Sequence, residues 1–152
     1  MLANRIKMAR SKREKGEGGF TLIELLVVVV ILGILIAIAI PTYLNYRQGA
    51  NDKSAQSDVR NAVTTLESCL VETGSYPTAV TAGALTPTCT QKISLASSTT
   101  FRYAAGTGTP PTTYSVFATA SGGSGKIFCY NSSTGGSVKE ATGTPIASAT
   151  CA

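Results

Sequence analysis

The residue that most demands a chemical account is Glu24. It is the single charge in the run Phe20–Pro41, where nearly every neighbour is apolar. An acidic side chain in such surroundings costs about 3 kcal/mol on membrane-insertion scales, and a buried charge is tolerated when a cation pairs with it. The sequence offers a source for that cation. Gly18-Gly19 directly precede Phe20, and a cut between Gly19 and Phe20 makes Glu24 the fifth residue and exposes a new α-ammonium on Phe20. In packed helices the ammonium of one chain can neutralise the carboxylate of its neighbour. An insertion penalty then becomes a contact that fixes register between copies.

Other chemistries are poorly served. The 152 residues include no histidine, which excludes Ser-His-Asp and Cys-His catalysis and histidine-ligated metals. Charged residues make up 14% of the chain, against a norm of about 25% for soluble domains. No acidic residue lies between Thr73 and Lys139, so a carboxylate cage for calcium is not expected there. The four cysteines, Cys69, Cys89, Cys129 and Cys151, form no C-x-x-C pair, which speaks against a zinc or thiol-redox site. The expectation is a protein that is not an enzyme and uses no cofactor or metal.

The elements that must position Glu24 follow from hydropathy and charge. Residues 1–19 hold six bases (Arg5, Lys7, Arg10, Lys12, Arg13, Lys15) and two acids, whereas the 22 residues Leu25–Tyr46 hold no charge. About 20 apolar residues cross a bilayer as a helix. The bases on its N-terminal side put that end in the cytoplasm and the C-terminus outside. Tyr43 and Tyr46 stand where an aromatic belt at the outer interface would lie. A cleaved secretory signal fits poorly, because the small residues Gly18-Gly19 precede the apolar run instead of following it. Within the run, Gly33 weakens the helix by about 1 kcal/mol relative to alanine, and Pro41 removes one hydrogen bond. Residues 33–41 are therefore the place where helical order can loosen.

Beyond the apolar run, Ala55, Val59, Ala62, Val63, Leu66 and Leu70 recur at three- and four-residue steps and make one stripe of an amphipathic helix. Asp52, Lys53, Asp58, Arg60, Glu67 and Glu72 are expected mostly off that stripe. Gly74 and Pro77 place the helix end near Thr73. Half of such a helix, from Phe20 onward, lacks an intramolecular partner and needs membrane lipid or copies of itself. Residues 75–152 turn to Thr, Ser, Gly and Ala. Strands are expected at Thr100–Ala105, Thr113–Ala120 and Lys126–Tyr130, with a weaker one at Ser137–Glu140. Ser121–Gly125 reads as a flexible hairpin tip. The expected fold class is α+β, a long helix whose C-terminal half packs on an antiparallel sheet of three or four strands.

The run Gly19-Phe20-Thr21-Leu22-Ile23-Glu24-Leu25 resembles the processing and assembly motif of type IV pilins and pseudopilins. The likeness is close over residues 15–48 and looser over 49–77. It implies that residues 1–19 are a leader cut by a prepilin peptidase after Gly19, that Phe20 becomes an N-methylated first residue, and that Glu24 is the assembly carboxylate. Gly33 and Pro41 stand where many pilins carry a helix-loosening glycine and proline. The implied organisation is a hydrophobic membrane and filament-core helix over 20–48 and a globular domain over 49–152. That domain comprises the amphipathic helix 50–73, a loop over 74–99, a sheet over 100–140 and a C-terminal loop over 129–151. The implied partners are membrane lipid before assembly, an assembly platform in the membrane, and further copies in an extracellular helical filament.

Four cysteines allow three pairings, and their number and predicted outer location favour disulfides. Cys69–Cys89, tying the helix end to the following loop, and Cys129–Cys151, pinning the C-terminus to a strand, are favoured. The second resembles the disulfide-bounded loop of many pilins, which would offer residues 130–150 to the environment. Asn131-Ser132-Ser133 fits a glycosylation sequon only weakly. Lys92, Arg102, Lys126 and Lys139 make the distal half mildly basic, with a solvated face as the default reading and contact with DNA or a host surface as a weaker one. The expected function is that of a structural pilus subunit, a major one, serving motility, adhesion or DNA uptake. The alternatives are a pseudopilin of a secretion or competence system and a minor adhesive pilin.

Overall fold

The computed structural model describes residues 19–81, 84–86, 89, 91–147 and 149–151. The basic head, residues 1–18, lies outside them. Helix α1 covers Leu22–Thr73. The chain divides into two compact units between Thr42 and Tyr43, and each is taken by itself.

The first unit contains the apolar part of α1. Every described side chain from Gly19 to Thr42 is exposed, including Leu22 at 81% and Ile38 at 65%. The helix is long and apolar enough to cross a membrane. Helical structure begins at Leu22, two residues later than Phe20, because Thr21 takes the capping position (below).

In the second unit the remainder of α1 lies under a sheet. Strands β1 (Ala79–Thr81) and β2 (Ala84–Thr86) form a short antiparallel hairpin. Strands β3 (Thr99–Ala105), β4 (Tyr114–Ala120), β5 (Phe128–Asn131) and β6 (Lys139–Glu140) form an antiparallel sheet in the order β3-β4-β5-β6. Phe101 faces Ala118, Val116 faces Tyr130, and Cys129 faces Lys139 across the ladders. The α+β expectation holds with four strands. The hairpin β1–β2 falls inside what the sequence suggested was an unstructured loop over 74–99. Its residues are mostly Ala and Thr, too small to announce a strand by hydrophobic alternation.

The core explains the order of the layers. Ala55, Val59, Ala62, Leu66 and Cys69 are fully buried and meet Tyr114, Val116, Ala118 and Ala120 of β4. Side chains alternate between strand faces, so Phe117 points the other way, into a second cluster with Ile127, Cys129 and Ala149. β4 is thus covered by α1 on one face and by the C-terminal segment on the other. Helix α1 closes at Thr73 because Gly74 adopts φ +75° and its N–H bonds Leu70 O at 2.8 Å. Two disulfides join Cys69 to Cys89 and Cys129 to Cys151, with Cα–Cα distances of 5.7 and 5.8 Å.

Two expectations about the helix surface are corrected. Asp52 and Asp58 are buried on the stripe, at 9% and 6% exposure. Asp52 accepts hydrogen bonds from Ser124 N at 3.0 Å and Ser124 Oγ at 2.5 Å, and Asp58 accepts one from Ala96 N at 3.1 Å. A buried carboxylate is stable here because backbone and hydroxyl donors satisfy it. The tip Ser121–Gly125, read from its glycines as flexible, is for the same reason fastened to α1, with Asn51 Nδ2 donating to Gly122 O at 2.9 Å. Gly123 packs so close to Asp52 that a Cβ there would fall 2.4 Å from Oδ1.

Leu66→Ala should lower unfolding stability by about 2–5 kcal/mol, read as a reduced denaturant midpoint for the detergent-solubilised chain. A Thr64→Ala control on the exposed side of the helix should move that midpoint far less.

Candidate functional site

At the N-terminus of α1, Thr21 and Glu24 form a reciprocal cap. Thr21 N and Thr21 Oγ1 both donate to Glu24 Oε2, at 2.8 and 2.7 Å, and Glu24 N donates to Thr21 Oγ1 at 3.3 Å. This is the capping box, a Thr followed three residues later by Glu, that satisfies backbone donors a helix leaves open at its start. The pattern stands in the sequence as Thr21-x-x-Glu24 and was legible there, although Glu24 drew attention only as an isolated charge. Both contacts to the carboxylate fall on Oε2, which leaves Oε1 to a donor from outside the turn.

Gly19 and Phe20 precede the helix and are exposed, Phe20 at 81%. The Gly19–Phe20 peptide is therefore outside helical hydrogen bonding and open to an enzyme. In the uncut chain Phe20 N is an amide; it becomes a cation once that bond is broken. Gly33 and Pro41 both lie within α1. Pro41 deprives Ala37 O of its usual partner, and one residue on, Thr42 Oγ1 donates to Ile38 O at 3.1 Å.

The distal residues are brought together differently from the sequence reading. Glu67 faces inward and accepts hydrogen bonds from Tyr76 OH, at 3.1 Å to Oε2, and from Tyr114 OH, at 2.8 Å to Oε1. The Tyr114 ring lies 4.7 Å from Tyr76, 6.2 Å from Tyr103 and 6.0 Å from Tyr130. No sequence signal marked this cluster, since Glu67 and Tyr114 are 47 positions apart. Arg102, counted among surface bases, instead donates to Ala147 O and to Ala149 O, the latter at 3.0 Å, and lies 4.0 Å over the Phe117 ring. Lys126 pairs with Glu140 at 3.0 Å. A basic stripe for DNA thus loses Arg102 to the fold and has Lys126 neutralised. The sequon asparagine is also engaged: Asn131 Oδ1 accepts from Ser133 N at 3.0 Å and from Ser133 Oγ at 2.8 Å.

Comparison with known proteins fits this geometry. Residues 15–40 match the prokaryotic N-terminal methylation motif. The chain is 48% identical over 54 residues to a type IV major fimbrial protein FimA of Dichelobacter nodosus, covering 36% of this chain and 35% of that one. It is 48% identical over 58 residues to a fimbrial protein of Pseudomonas aeruginosa, covering 38% of each. Against a type II secretion system core protein G of Aeromonas hydrophila it is 33% identical over 66 residues, 43% of this chain and 46% of that one. Over its N-terminal part the chain is thus similar to type IV fimbrial proteins and to a type II secretion core protein. The match spans between a third and a half of each of these relatives' length.

In the globular unit, the tyrosines that bind the helix to the sheet are also its alkaline weak point. Burial pushes the Tyr76 phenol up to about 12, reinforced by its hydrogen bond to Glu67. Burial likewise pushes Tyr103 up to about 12. Tyr114, buried more deeply and bonded to the same carboxylate, is raised further. A phenol whose pKa rises on folding contributes stability that is fully present below the unfolded value of about 10 and is lost as pH climbs through the folded value. Unfolding should therefore set in between about pH 10 and 12, with phenolate absorbance and near-ultraviolet dichroism changing together. Tyr114→Phe should leave Glu67 short of one donor and lower stability by about 1–3 kcal/mol.

Proposed function

We propose that this chain is a structural subunit, and specifically a major one, of an extracellular type IV pilus. The observation that carries the reading is one carboxylate, Glu24, in the first turn of a helix whose next 22 residues are uncharged and whose described side chains through Thr42 find no cover within the chain. Before assembly the apolar part of α1 rests in the membrane with its N-terminus in the cytoplasm. A prepilin peptidase cuts between Gly19 and Phe20, and Phe20 is N-methylated. The new Phe20 ammonium of one subunit then pairs with Glu24 of its neighbour, using the Oε1 that the cap leaves available. Burial strengthens that pair, because opposite charges attract more strongly in a low-dielectric environment. An assembly platform in the membrane would lift each subunit into a filament whose core is built from residues 20–48. Helical order over Gly33–Pro41 can loosen there, giving the filament extensibility. The disulfide-bounded segment 129–151 would face the surroundings, where adhesion, motility or DNA uptake are exercised.

A pseudopilin of a secretion system is the second reading, favoured by the longer matched stretch with the type II secretion core protein G. The missing carboxylates between Thr73 and Lys139 weigh against a calcium-bearing version of it.

Glu24→Val, expressed as the sole copy, should be processed and inserted but absent from filaments in electron micrographs. Glu24→Gln separates the two roles of the side chain, since glutamine keeps the capping box but not the charge; it too should fail to assemble. Abundant normal filaments from Glu24→Gln would overturn the charge pairing. Mass spectrometry of sheared filaments should return methylated Phe20 as the first residue, and another N-terminus would refute the cleavage assignment.

A further inference from the structure

A second polar site lies just past the apolar run. Leu44, Arg47, Gln48 and Asn51 sit three and four residues apart, on one face of α1. With Ser121 and Gly122 of the β4–β5 tip they line an open cleft of about 390 Å³, within the roughly 300–1,000 Å³ common for small-ligand sites. The tip is held in place by Asn51 and Asp52, so the cleft has fixed walls. Gly122 adopts φ +73°, and a Cβ there would stand 3.1 Å from Asn51 Nδ2, so the wall is built for glycine.

The charge distribution says what the cleft would take. From Phe20 onward the chain has six acidic side chains, and each is bonded within the chain. Glu24 is held by Thr21, Asp52 by Ser124, Asp58 by Ala96, Glu67 by Tyr76 and Tyr114, Glu72 by Gln91, and Glu140 by Lys126. Arg47 has no carboxylate within ion-pair reach among the described residues. It is also the first charge after the uncharged run Leu25–Tyr46, and it follows the exposed rings of Tyr43 and Tyr46, at 62% and 78%. Along this face the lining passes from an aliphatic side chain, Leu44, to a guanidinium, Arg47, and then to amides, Gln48 and Asn51. A phospholipid has the same order: acyl-glycerol, phosphate, polar head. Guanidinium binds phosphate oxygens through two parallel N–H donors.

We propose that this cleft binds the phosphate-bearing headgroup of an anionic phospholipid at the outer face of the membrane. Arg47 holds the phosphodiester, Gln48 and Asn51 donate to the polar head, and Leu44 meets the glycerol end. The site rests on the membrane-resident reading above. Its occupant would leave when the subunit enters a filament, so the lipid helps hold the waiting subunit at its proper depth.

The test uses the full mature chain reconstituted in vesicles of phosphatidylcholine with and without phosphatidylglycerol, followed by native mass spectrometry of retained lipid. The parent chain should retain phosphatidylglycerol over phosphatidylcholine by about tenfold, and Arg47→Gln should bring that ratio close to parity. Lys92→Gln, an exposed base away from the cleft, should leave it unchanged. Both variants should keep the parent's circular dichroism. Equal retention of the two lipids by the parent, or an undiminished preference in Arg47→Gln, would overturn the site. Millimolar inorganic phosphate should neither bind nor displace lipid; displacement would make free phosphate the ligand and refute the lipid. Flotation of the same samples tests the underlying reading separately, because a chain that fails to float with vesicles refutes membrane residence itself.

Discussion

The globular half of this protein depends on one packing contact, the stripe Asp52–Cys69 of α1 against β4. A four-stranded sheet with strands of two to seven residues has too little apolar surface to stand alone and needs a helix over one face. Small and larger residues alternate along the stripe, in the order Ala55, Val59, Ala62 and Leu66, all fully buried. β4 receives the contact because it is flanked on both sides, by β3 and β5, and carries Tyr114, Val116 and Ala118 on the same face. The neighbouring segments are then organised around that contact. The β4–β5 tip is bonded to Asp52, the segment before β3 to Asp58, and the tyrosine cluster to Glu67.

The other half of α1 has the opposite character. Its side chains are apolar and uncovered, so its stable states require lipid or other subunits. One continuous helix thus serves two environments, and the change occurs near Arg47, where the uncharged run ends. Thr21 and Glu24 bear on the start of that helix in two ways. Thr21 N and Glu24 N both find acceptors within the turn, and both contacts to the Glu24 carboxylate use Oε2.

Much of this was legible in the sequence, for physical reasons that also explain the omissions. The apolar run, the three- and four-residue stripe and the Gly74 terminus are local signals, and they place α1 to within two residues. β3 and β4 announce themselves through β-branched and aromatic residues and begin within one residue of their expected starts. β5 and β6 begin two residues late, where Lys126 and Ser137 stay outside the ladder. The hairpin β1–β2 was missed because Ala and Thr give no alternation. Asp52 was misplaced although it lies three residues before Ala55 and so on the same face; its charge argued for solvent, and its partner at Ser124 is 72 positions away. Arg102 misled in the same way, since its carbonyl partners belong to the C-terminal segment. Long-range donors decide whether a charged residue is buried, and a single sequence does not display them.

The means by which the globular unit holds its acids has a consequence for where it can function. Asp52, Asp58 and Glu67 are satisfied by peptide, hydroxyl and phenol donors and not by ammonium or guanidinium groups. Dissolved ions largely screen attraction between exposed charges more than about 10 Å apart at a tenth molar salt, but they do little to short hydrogen bonds shielded from water. A body fastened in this way is expected to depend little on ionic strength, from dilute water to brine.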